Sequence, residues 1–304
     1  MKIAAVTGAM SGIGRRIVDL LIEQQWHVKI LTRKDIRAWH PNLEVVQGDI
    51  RDEQVLKTLM KGVSALFHCA AEFAQQELIW EVNVRATEML LGIAKVSPLN
   101  YLCYIGSAGV LGACSDDWVD ERTSCHPRDS YEKSKYAAEK MVLSSGLNAK
   151  ICVLRPVFVV SSQRPGFVEY PIRNDWMDRL KLFIKGRERA HIVHADDIAA
   201  AAMFFLEKPL QRPDCFYVSC DEDELNTVAG IAGYYRYLKG GEKGVLKLPA
   251  SLPVIVPTLV RRLIRGPSLH GRTRFSSARL RAYGFELPLG FKGAIKAMIK
   301  DRPE

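Results

Sequence analysis

The stretch that decides the fold is Thr7-Gly8-Ala9-Met10-Ser11-Gly12-Ile13-Gly14. An apolar run over residues 2–7 leads into the glycines, and a helical pattern over residues 12–24 follows them. Gly8 permits a tight turn, while Gly12 and Gly14 permit close approach of the backbone to a pyrophosphate and of the helix to the sheet. The amides at the N-terminus of such a helix face phosphate oxygens. The stretch therefore predicts a dinucleotide-binding strand–turn–helix unit.

Short apolar runs alternate with helical patterns through the first half of the chain. This alternation predicts an α/β fold, with a Rossmann-type doubly wound parallel sheet. A core over residues 1–156, continued by segments around residues 190–220, would bind the dinucleotide. Residues 157–304 would mainly form a small C-terminal substrate-binding lobe. Strands are expected at residues 2–7, 27–32, 43–47, 65–70, 101–106 and 150–155, helices at 12–24, 76–96, 131–144, 195–206 and 224–238, and an irregular loop at 161–174.

The end of the second predicted strand, Thr32-Arg33-Lys34, lacks the acidic residue that would bond a ribose 2′-hydroxyl. Arg33 instead suits a 2′-phosphate, because a guanidinium group pairs with phosphate oxygens through parallel hydrogen bonds. Arg15, just after the glycines, would add a second cation. We therefore predict NADP(H) as the preferred cofactor, with NAD(H) as the alternative.

Tyr131 and Lys135 stand four residues apart and hence on one face of the predicted helix at residues 131–144. A phenol with a pKa near ~10 is a poor base at neutral pH. A neighbouring ammonium group and a positively charged nicotinamide ring would both lower that pKa. The pair therefore predicts proton exchange with a substrate hydroxyl or carbonyl during hydride transfer.

The bulk composition narrows the setting. Of the 304 residues, 48% are hydrophobic and 25% are charged, which is typical of a globular protein. The seven cysteines include no Cys-x-x-Cys pair, which argues against a disulfide framework or a metal site and favours a reducing, cytoplasmic compartment. We expect no signal peptide, and the apolar run at residues 252–260, interrupted by prolines, is too short to span a bilayer.

The net charge of +9 is concentrated in late basic runs, at residues 261–265 and 272–274. These side chains would bind an anionic ligand, touch an anionic membrane surface peripherally, or form a solvated basic face. We expect a small-molecule partner and no nucleic acid.

The segments together resemble the extended short-chain dehydrogenase/reductase superfamily, the NAD(P)-dependent epimerase/dehydratase family. The first stretch is similar to its Thr-Gly-x-x-x-Gly-x-Gly motif, although Ser11 stands where extended members commonly place a glycine. Ile105-Gly106-Ser107-Ala108-Gly109-Val110-Leu111-Gly112 resembles the Ser-Ser-Ala-x-Val-Tyr-Gly segment, in which Ser107 matches the catalytic hydroxyl. The resemblance implies a catalytic group of Ser107, Tyr131 and Lys135, with Lys135 also binding the nicotinamide ribose.

The resemblance also implies a set of dinucleotide contacts. Asp49 matches an aspartate that contacts the adenine, and Asn83 matches a helix asparagine, although a buried polar residue with a satisfied hydrogen bond would explain Asn83 equally well. His68, at a strand end beside small residues, is expected to be structural. The expected cofactor-binding residues are Gly8, Met10, Ser11, Gly12, Ile13, Gly14, Arg33, Asp49, Ile50, Cys69, Ala70, Ala71, Asn83, Tyr131, Lys135 and Pro156.

The resemblance leaves the substrate open. After Pro156, where the family often continues with an asparagine and Tyr-Gly-Pro, the chain has Val157-Phe158-Val159-Val160-Ser161, which puts sugar recognition by the usual asparagine in doubt. The last segment, residues 274–285, looks like the C-terminal signature of sugar-nucleotide members, and Arg272 or Arg274 would bind the phosphates. His194 and Asp197 are expected to hold the second lobe onto the core.

Three functions remain under consideration. The favoured one is an NADP(H)-dependent ketoreductase or epimerase acting on a nucleotide sugar. The second is a reductase or dehydrogenase of an apolar alcohol or ketone, sterol-like or flavonoid-like, and the third is a non-catalytic dinucleotide-sensing protein. Dehydration is disfavoured, because Ala108 and Gly109 stand where dehydratases carry acidic residues. The resemblance further implies a homodimer formed through the helices at residues 76–96 and 131–144.

Overall fold

A computed structural model of the chain describes residues 2–161, 182, 186–240 and 271–300. Most of the loop predicted at residues 161–174 lies outside these ranges. The apolar run at residues 252–260 and the basic run at residues 261–265 lie outside them as well, so those predictions stay untested.

The elements are numbered in chain order. The strands are β1 Ile3–Thr7, β2 His27–Thr32, β3 Leu43–Gln47, β4 Ala65–His68, β5 Tyr101–Ile105, β6 Trp118–Val119, β7 Lys150–Pro156, β8 Phe158–Val160, β9 Ile192–His194, β10 Asp214–Val218 and β11 Arg274–Phe275. The α-helices are α1 Gly12–Glu23, α2 Glu53–Met60, α3 Gln76–Trp80, α4 Ala86–Ala94, α5 Ser130–Leu143, α6 Ala195–Glu207, α7 Val228–Leu238, α8 Ala278–Ala282 and α9 Gly290–Lys300. A π-helical turn, Glu81–Arg85, joins α3 to α4, and a 3-10 turn, Ala108–Leu111, follows β5.

A seven-stranded parallel sheet forms the centre of the fold, in the order β10-β7-β5-β4-β1-β2-β3. The predicted fold class is therefore confirmed. Helices α1 and α6 cover one face of the sheet, and α2, α4 and α5 cover the other. Because both faces are buried, the strands are continuous apolar runs rather than alternating apolar and polar residues.

The strand order reverses between β1 and β4, which lie side by side although β2 and β3 separate them in sequence. The loops that leave the carboxyl ends of these two strands diverge to opposite sides of the sheet, and ligands of doubly wound folds bind in the resulting crevice. The glycine-rich stretch leaves β1 and residues 69–71 leave β4, so the topology brings these two predicted segments together.

Some elements differ from their predicted bounds. The helix predicted at residues 76–96 is interrupted by the π-helical turn, where the Thr87 hydroxyl donates a 2.7 Å hydrogen bond to the Asn83 carbonyl oxygen. The helix predicted at residues 224–238 begins at Val228, because the Thr227 side chain caps it by accepting from the Gly230 amide at 3.0 Å. The edge strand β10 lacked a specific strand prediction, although its segment was expected to return to the core.

The C-terminal chain is tied to the loop that follows β5. β11 pairs in parallel with β6, with the Arg274 amide donating to the Asp117 carbonyl oxygen at 2.7 Å. The Thr273 hydroxyl donates to the Asp116 carbonyl oxygen at 2.9 Å. Farther along, the Asp197 carboxylate at the start of α6 accepts from the Leu289 amide at 2.7 Å, which ties α6 to the segment before α9. None of the helices within the described ranges is long and apolar enough to span a membrane.

Candidate active site

A cavity of about 490 Å³ lies at the carboxyl end of the sheet, over the crevice between β1 and β4. It runs from the end of β2 to the end of β5. The glycine-rich stretch and the predicted catalytic group therefore line the same cavity. The predicted site residues that line it are Gly8, Met10, Ser11, Gly12, Ile13, Arg33, Asp49, Ile50, Cys69, Ala70, Ala71, Ser107, Tyr131, Lys135 and Pro156.

The glycines make room for backbone rather than for side chains. Gly8 has a φ of 65°, and a Cβ atom there would lie 2.7 Å from the Ala70 amide nitrogen. A Cβ atom on Gly14 would overlap the carbonyl oxygen of Gly8, so Gly14 packs α1 onto the loop and does not line the cavity. Ser11 caps α1, with its hydroxyl accepting from the Gly14 amide at 3.1 Å. The loop and the helix N-terminus together fit the pyrophosphate of a dinucleotide.

Asn83, which the family resemblance assigns to the cofactor, does not line the cavity. It is buried, and its amide group accepts from the Glu72 amide at 2.8 Å and donates to the Glu72 carbonyl oxygen at 2.9 Å. It also donates to the Ser134 hydroxyl at 2.9 Å. Because these contacts use both ends of the side chain, Asn83 fixes the segment after β4 against α5, which matches the structural alternative given above.

The end of the cavity at β2 and β3 carries charged side chains. Arg33 is exposed and lines the cavity together with Lys34 and Arg51. The Asp49 carboxylate pairs with the Arg51 guanidinium at 2.8 and 2.9 Å, and this hydrogen bonding lowers the pKa of Asp49 to about 2. Asp49 is therefore ionised at neutral pH, and cations remain beside it at this end.

Arg15 is not among the cavity-lining residues. Its guanidinium group lies over the Trp39 ring, 4.1 Å from the ring centroid, and its Nε pairs with the Asp19 carboxylate at 3.1 Å. The sequence-based suggestion that Arg15 supplements Arg33 is therefore not supported by its position.

The other end of the cavity holds Ser107 and Tyr131. Ser107 lies two residues beyond the end of β5 at Ile105. Its Oγ accepts from the Gly109 amide at 3.1 Å, which leaves the hydroxyl proton available to a substrate oxygen or to Tyr131. Burial raises the pKa of Tyr131, and the hydrogen bond with Ser107 opposes that increase. Within the protein, burial outweighs the lowering that the sequence predicted for this pKa. The positive charge of a bound nicotinamide ring would therefore be needed to lower the pKa of Tyr131.

Lys135 lies one turn of α5 beyond Tyr131 and is buried. Its Nζ donates to the Ile105 carbonyl oxygen at 2.7 Å and lies 4.2 Å from the centre of the Tyr104 ring. Burial lowers the pKa of Lys135 to about 7, while the nearby Glu139 carboxylate acts in the opposite direction. The side chain is therefore held at a fixed place in the cavity wall. Its ammonium group gains or loses its proton near neutral pH.

His68 is a buried structural residue rather than a base, as expected. Its Nδ1 lies 2.7 Å from the Thr7 hydroxyl and its Nε2 lies 2.9 Å from the Thr87 hydroxyl. Burial and the Lys135 charge lower the pKa of His68 to about 3, so the ring is neutral.

Sequence reasoning missed part of the cavity wall. Glu72 and Phe73 line it, because Asn83 holds the segment after β4 in place. The contact between Glu72 and Asn83 joins residues 11 apart, and no sequence motif indicated it. Val157, Val159 and Ser161 line it beyond Pro156. The only sequence feature that pointed to these three residues was the departure from the family pattern after Pro156. Within the described ranges, no group of three or more His, Cys, Asp or Glu side chains is arranged to hold a metal ion.

Comparison with known proteins identifies the family. A sequence model of the NAD-dependent epimerase/dehydratase family matches residues 4–217, from β1 through most of β10. The chain belongs to this family. Membership of the NAD-dependent epimerase/dehydratase family agrees with the glycine-rich loop and with the positions of Ser107, Tyr131 and Lys135 around one cavity.

Two of the similar sequences are named for sterols or steroids. The chain is 25% identical to sterol demethylase protein B of Methylococcus capsulatus over 263 residues, which is 81% of this chain and 77% of that protein. It is 30% identical to a 3β-hydroxysteroid dehydrogenase/Δ5→4-isomerase of Mycobacterium tuberculosis over 169 residues, or 50% and 45% of the two chains. It is also 27% identical to the protein y4nG of Sinorhizobium fredii over 213 residues, or 67% and 53%. The chain thus spans about half the length of the last two relatives.

Solved structures of epimerase/dehydratase-like proteins share the fold. MoeE5 in complex with UDP-glucose and NAD superposes with a TM-score of 0.74 at 20% identity, covering 99% of this chain and 98% of that one. The UDP-glucose 4-epimerase of Thermotoga maritima, with UDP-glucose, superposes with a TM-score of 0.73 at 17% identity, covering 99% and 98%. At these identities the similarity shows the fold alone, which is the Rossmann-type architecture described above.

Proposed function

We propose that this chain is an NADP(H)-dependent oxidoreductase that interconverts a secondary hydroxyl and a ketone on an apolar, sterol-like substrate. The observation that carries the proposal is the apolar part of the cavity wall that follows Pro156. It is formed by Val157 and Val159, at the point where the family often places an asparagine that binds sugar. Valine side chains offer a sugar no hydrogen-bonding partner, and a buried sugar hydroxyl without a partner is costly.

Arg274 gives a second reason to favour an apolar substrate. Its guanidinium group pairs with the Glu224 carboxylate at 2.6 and 3.0 Å and lies over the Trp118 ring at 5.1 Å. A diphosphate would have to displace Glu224 before it could bind this arginine. The sterol demethylase protein B and the steroid dehydrogenase named above support the same substrate class.

In this proposal each residue of the catalytic group has one task. The nicotinamide ring, when bound, supplies or accepts the hydride. The Ser107 hydroxyl donates to the substrate oxygen, and Tyr131 exchanges the proton of that oxygen. Lys135 would hold the nicotinamide ribose, and the positive charge of the bound ring would favour the phenolate of Tyr131. The apolar wall excludes water from the reacting atoms.

A nucleotide sugar is the second candidate substrate, for an epimerase or ketoreductase. Arg272 is exposed two residues before Arg274 and offers a cation for a diphosphate. The C-terminal segment, residues 274–285, resembles that of sugar-nucleotide members, and the structures named above hold UDP-glucose. On the family resemblance we also propose a cytoplasmic homodimer, in agreement with the seven free cysteines.

The substrate class can be tested by thermal stabilisation and by turnover. With NADPH present, a 3-ketosteroid is expected to raise the melting temperature further and to be reduced, and UDP-glucose is expected to do neither. Val159→Asn is expected to weaken steroid binding about 10-fold or more, since an amide that faces an apolar ligand stays unpaired. Leu225→Asn is the control, because Leu225 is 41% exposed and does not line the cavity. Stabilisation by UDP-glucose and not by the steroid would favour the second candidate.

The proposed cofactor preference rests on Arg33. Arg33→Ala is expected to weaken NADPH binding about 10- to 100-fold, because charge-assisted hydrogen bonds to the 2′-phosphate contribute about 1.5–3 kcal/mol. Binding of NADH, which lacks that phosphate, should change little. Isothermal titration of both dinucleotides measures the difference, with Arg122→Ala as a control at an arginine whose side chain is 89% exposed. Equal losses for NADPH and NADH would contradict the 2′-phosphate role.

A further inference from the structure

Helix α5 carries a third polar side chain in line with Tyr131 and Lys135. Glu139 lies one turn beyond Lys135 on the same face, because residues four apart on a helix stack above one another. It is 1% exposed, and a Cβ atom built on Gly106 would lie 3.2 Å from its Oε2. The carboxylate therefore lies against the backbone that leads into Ser107, although it does not line the cavity.

Arg155 on β7 holds the Glu139 carboxylate from the side opposite α5. Its Nε donates to Oε2 at 3.0 Å and its Nη2 to Oε1 at 2.5 Å. Arg155 is itself buried, with its guanidinium group over the Tyr217 ring at 5.3 Å. A buried two-bond pair of this kind fixes the carboxylate in position, and removing one partner leaves an uncompensated buried charge.

The Glu139 carboxylate thus acts on two buried cations: Arg155, which is hydrogen-bonded to it, and Lys135, which lies one helical turn away. Burial lowers the pKa of Lys135, and the Glu139 carboxylate is the strongest influence acting against it. Near neutral pH the charge on Lys135 thus depends on a group that touches neither substrate nor dinucleotide.

Before a dinucleotide binds, the neighbouring groups do not titrate in the same pH range as Lys135. The pKa of His68 is about 3 and that of Cys215 is about 11, and burial raises the pKa values of Cys69, Tyr104, Cys125, Tyr131 and Tyr217. The groups that face Lys135, Glu139 and Arg155 are His68 and Cys69 at β4, Tyr104 on β5, Cys125 in the loop before α5, Tyr131 on α5, and Cys215 and Tyr217 on β10.

We infer that Glu139, fixed by its ion pair with Arg155, is a positioning residue that keeps the Lys135 side chain charged for dinucleotide binding and catalysis. The inference rests on the proposed role of Lys135. Without the carboxylate, Lys135 gives up its proton at a lower pH, and the neutral amine holds the anionic dinucleotide less well.

The test follows NADP⁺ binding from about pH 6 to about pH 9 by isothermal titration, which needs no substrate. In the parent protein, binding is expected to weaken as Lys135 deprotonates. In Glu139→Gln this weakening is expected to move at least about one pH unit lower, which makes binding about tenfold weaker at a pH on the slope. Glu139→Asp keeps the charge and should restore most of the parent profile. Glu132→Gln is the matched control, since Glu132 is a buried carboxylate on the same helix that pairs with Arg128.

The Lys135→Met variant distinguishes the role of Lys135 in dinucleotide binding from the positioning role of Glu139. If the weakening with pH persists in Lys135→Met, the assigned role of Lys135 fails. If it disappears there but stands at the parent pH in Glu139→Gln, the positioning role of Glu139 is wrong while the proposed function stands. Where Glu139→Gln does not fold, Glu139→Gln combined with Arg155→Gln removes both buried charges and is expected to shift the profile in the same direction. An unshifted profile in that double variant overturns the inference.

Discussion

Replacing Tyr131 by phenylalanine is expected to lower kcat by about 10²- to 10⁴-fold, because a positioned proton donor or acceptor contributes that much to such a reaction. The ring would remain in its buried site beside Ser107, and only the proton-exchanging hydroxyl would be lost. Binding of NADPH should change little, since the glycine-rich loop and Lys135 are untouched. Turnover of the best ketone substrate and titration with NADPH measure the two quantities.

The Tyr136→Phe variant is the control for Tyr131→Phe. Tyr136 lies on the same helix outside the cavity lining, so removal of its hydroxyl should leave kcat near the parent value. A Tyr131→Phe enzyme that keeps more than about a tenth of the parent kcat would contradict the role assigned to Tyr131.

Gly14→Ala is expected to abolish measurable dinucleotide binding and to lower the melting temperature. A methyl group at this position overlaps the Gly8 carbonyl oxygen, so either α1 or the loop has to move. Overpacking of this kind costs about 1–3 kcal/mol, and the displaced loop no longer presents its amides to the pyrophosphate. Differential scanning fluorimetry, with and without NADPH, reports stability and binding together.

Gly92→Ala on α4 is the matched control for Gly14→Ala. A Cβ atom there meets no atom within 4 Å, and alanine in a helix interior is more favourable than glycine by about 0.5–1 kcal/mol. This variant should be at least as stable as the parent and should bind NADPH equally well. A Gly14→Ala protein that behaved in the same way would show that the close approach of α1 to the loop is dispensable.

Local patterns in the sequence were enough for the parts of the site that a short segment defines. The glycine-rich stretch and the Tyr131–Lys135 spacing each encode their geometry within a few residues, and the parallel sheet brings them to one cavity. Gly14 was assigned to the cofactor, but its tight contact is with Gly8. That contact depends on the path of the turn, which the glycine spacing alone does not specify.

Contacts between distant segments could not be predicted in this way. Asn83 reaches Ser134 across 51 residues, and Arg155 reaches Glu139 from a strand to a helix. Both contacts require the helix and strand packing to be known before the partners can be chosen. The cavity wall formed by Val157 and Val159 could be predicted only in part. The departure from the family pattern was visible in the sequence, but the place of these side chains in the cavity was not.

The pairing of β11 with β6 has a consequence for the order in which the chain matures. The main sheet is complete once residue 218 has been synthesised, but β6, in the loop after Ser107, pairs with a strand that comes as late as residues 274–275. Contacts of such long sequence separation form late, because their loop-closure entropy is repaid last. A ribosome-bound chain would therefore complete the crevice between β1 and β4 before the loop after β5 is tied to the C-terminal segment.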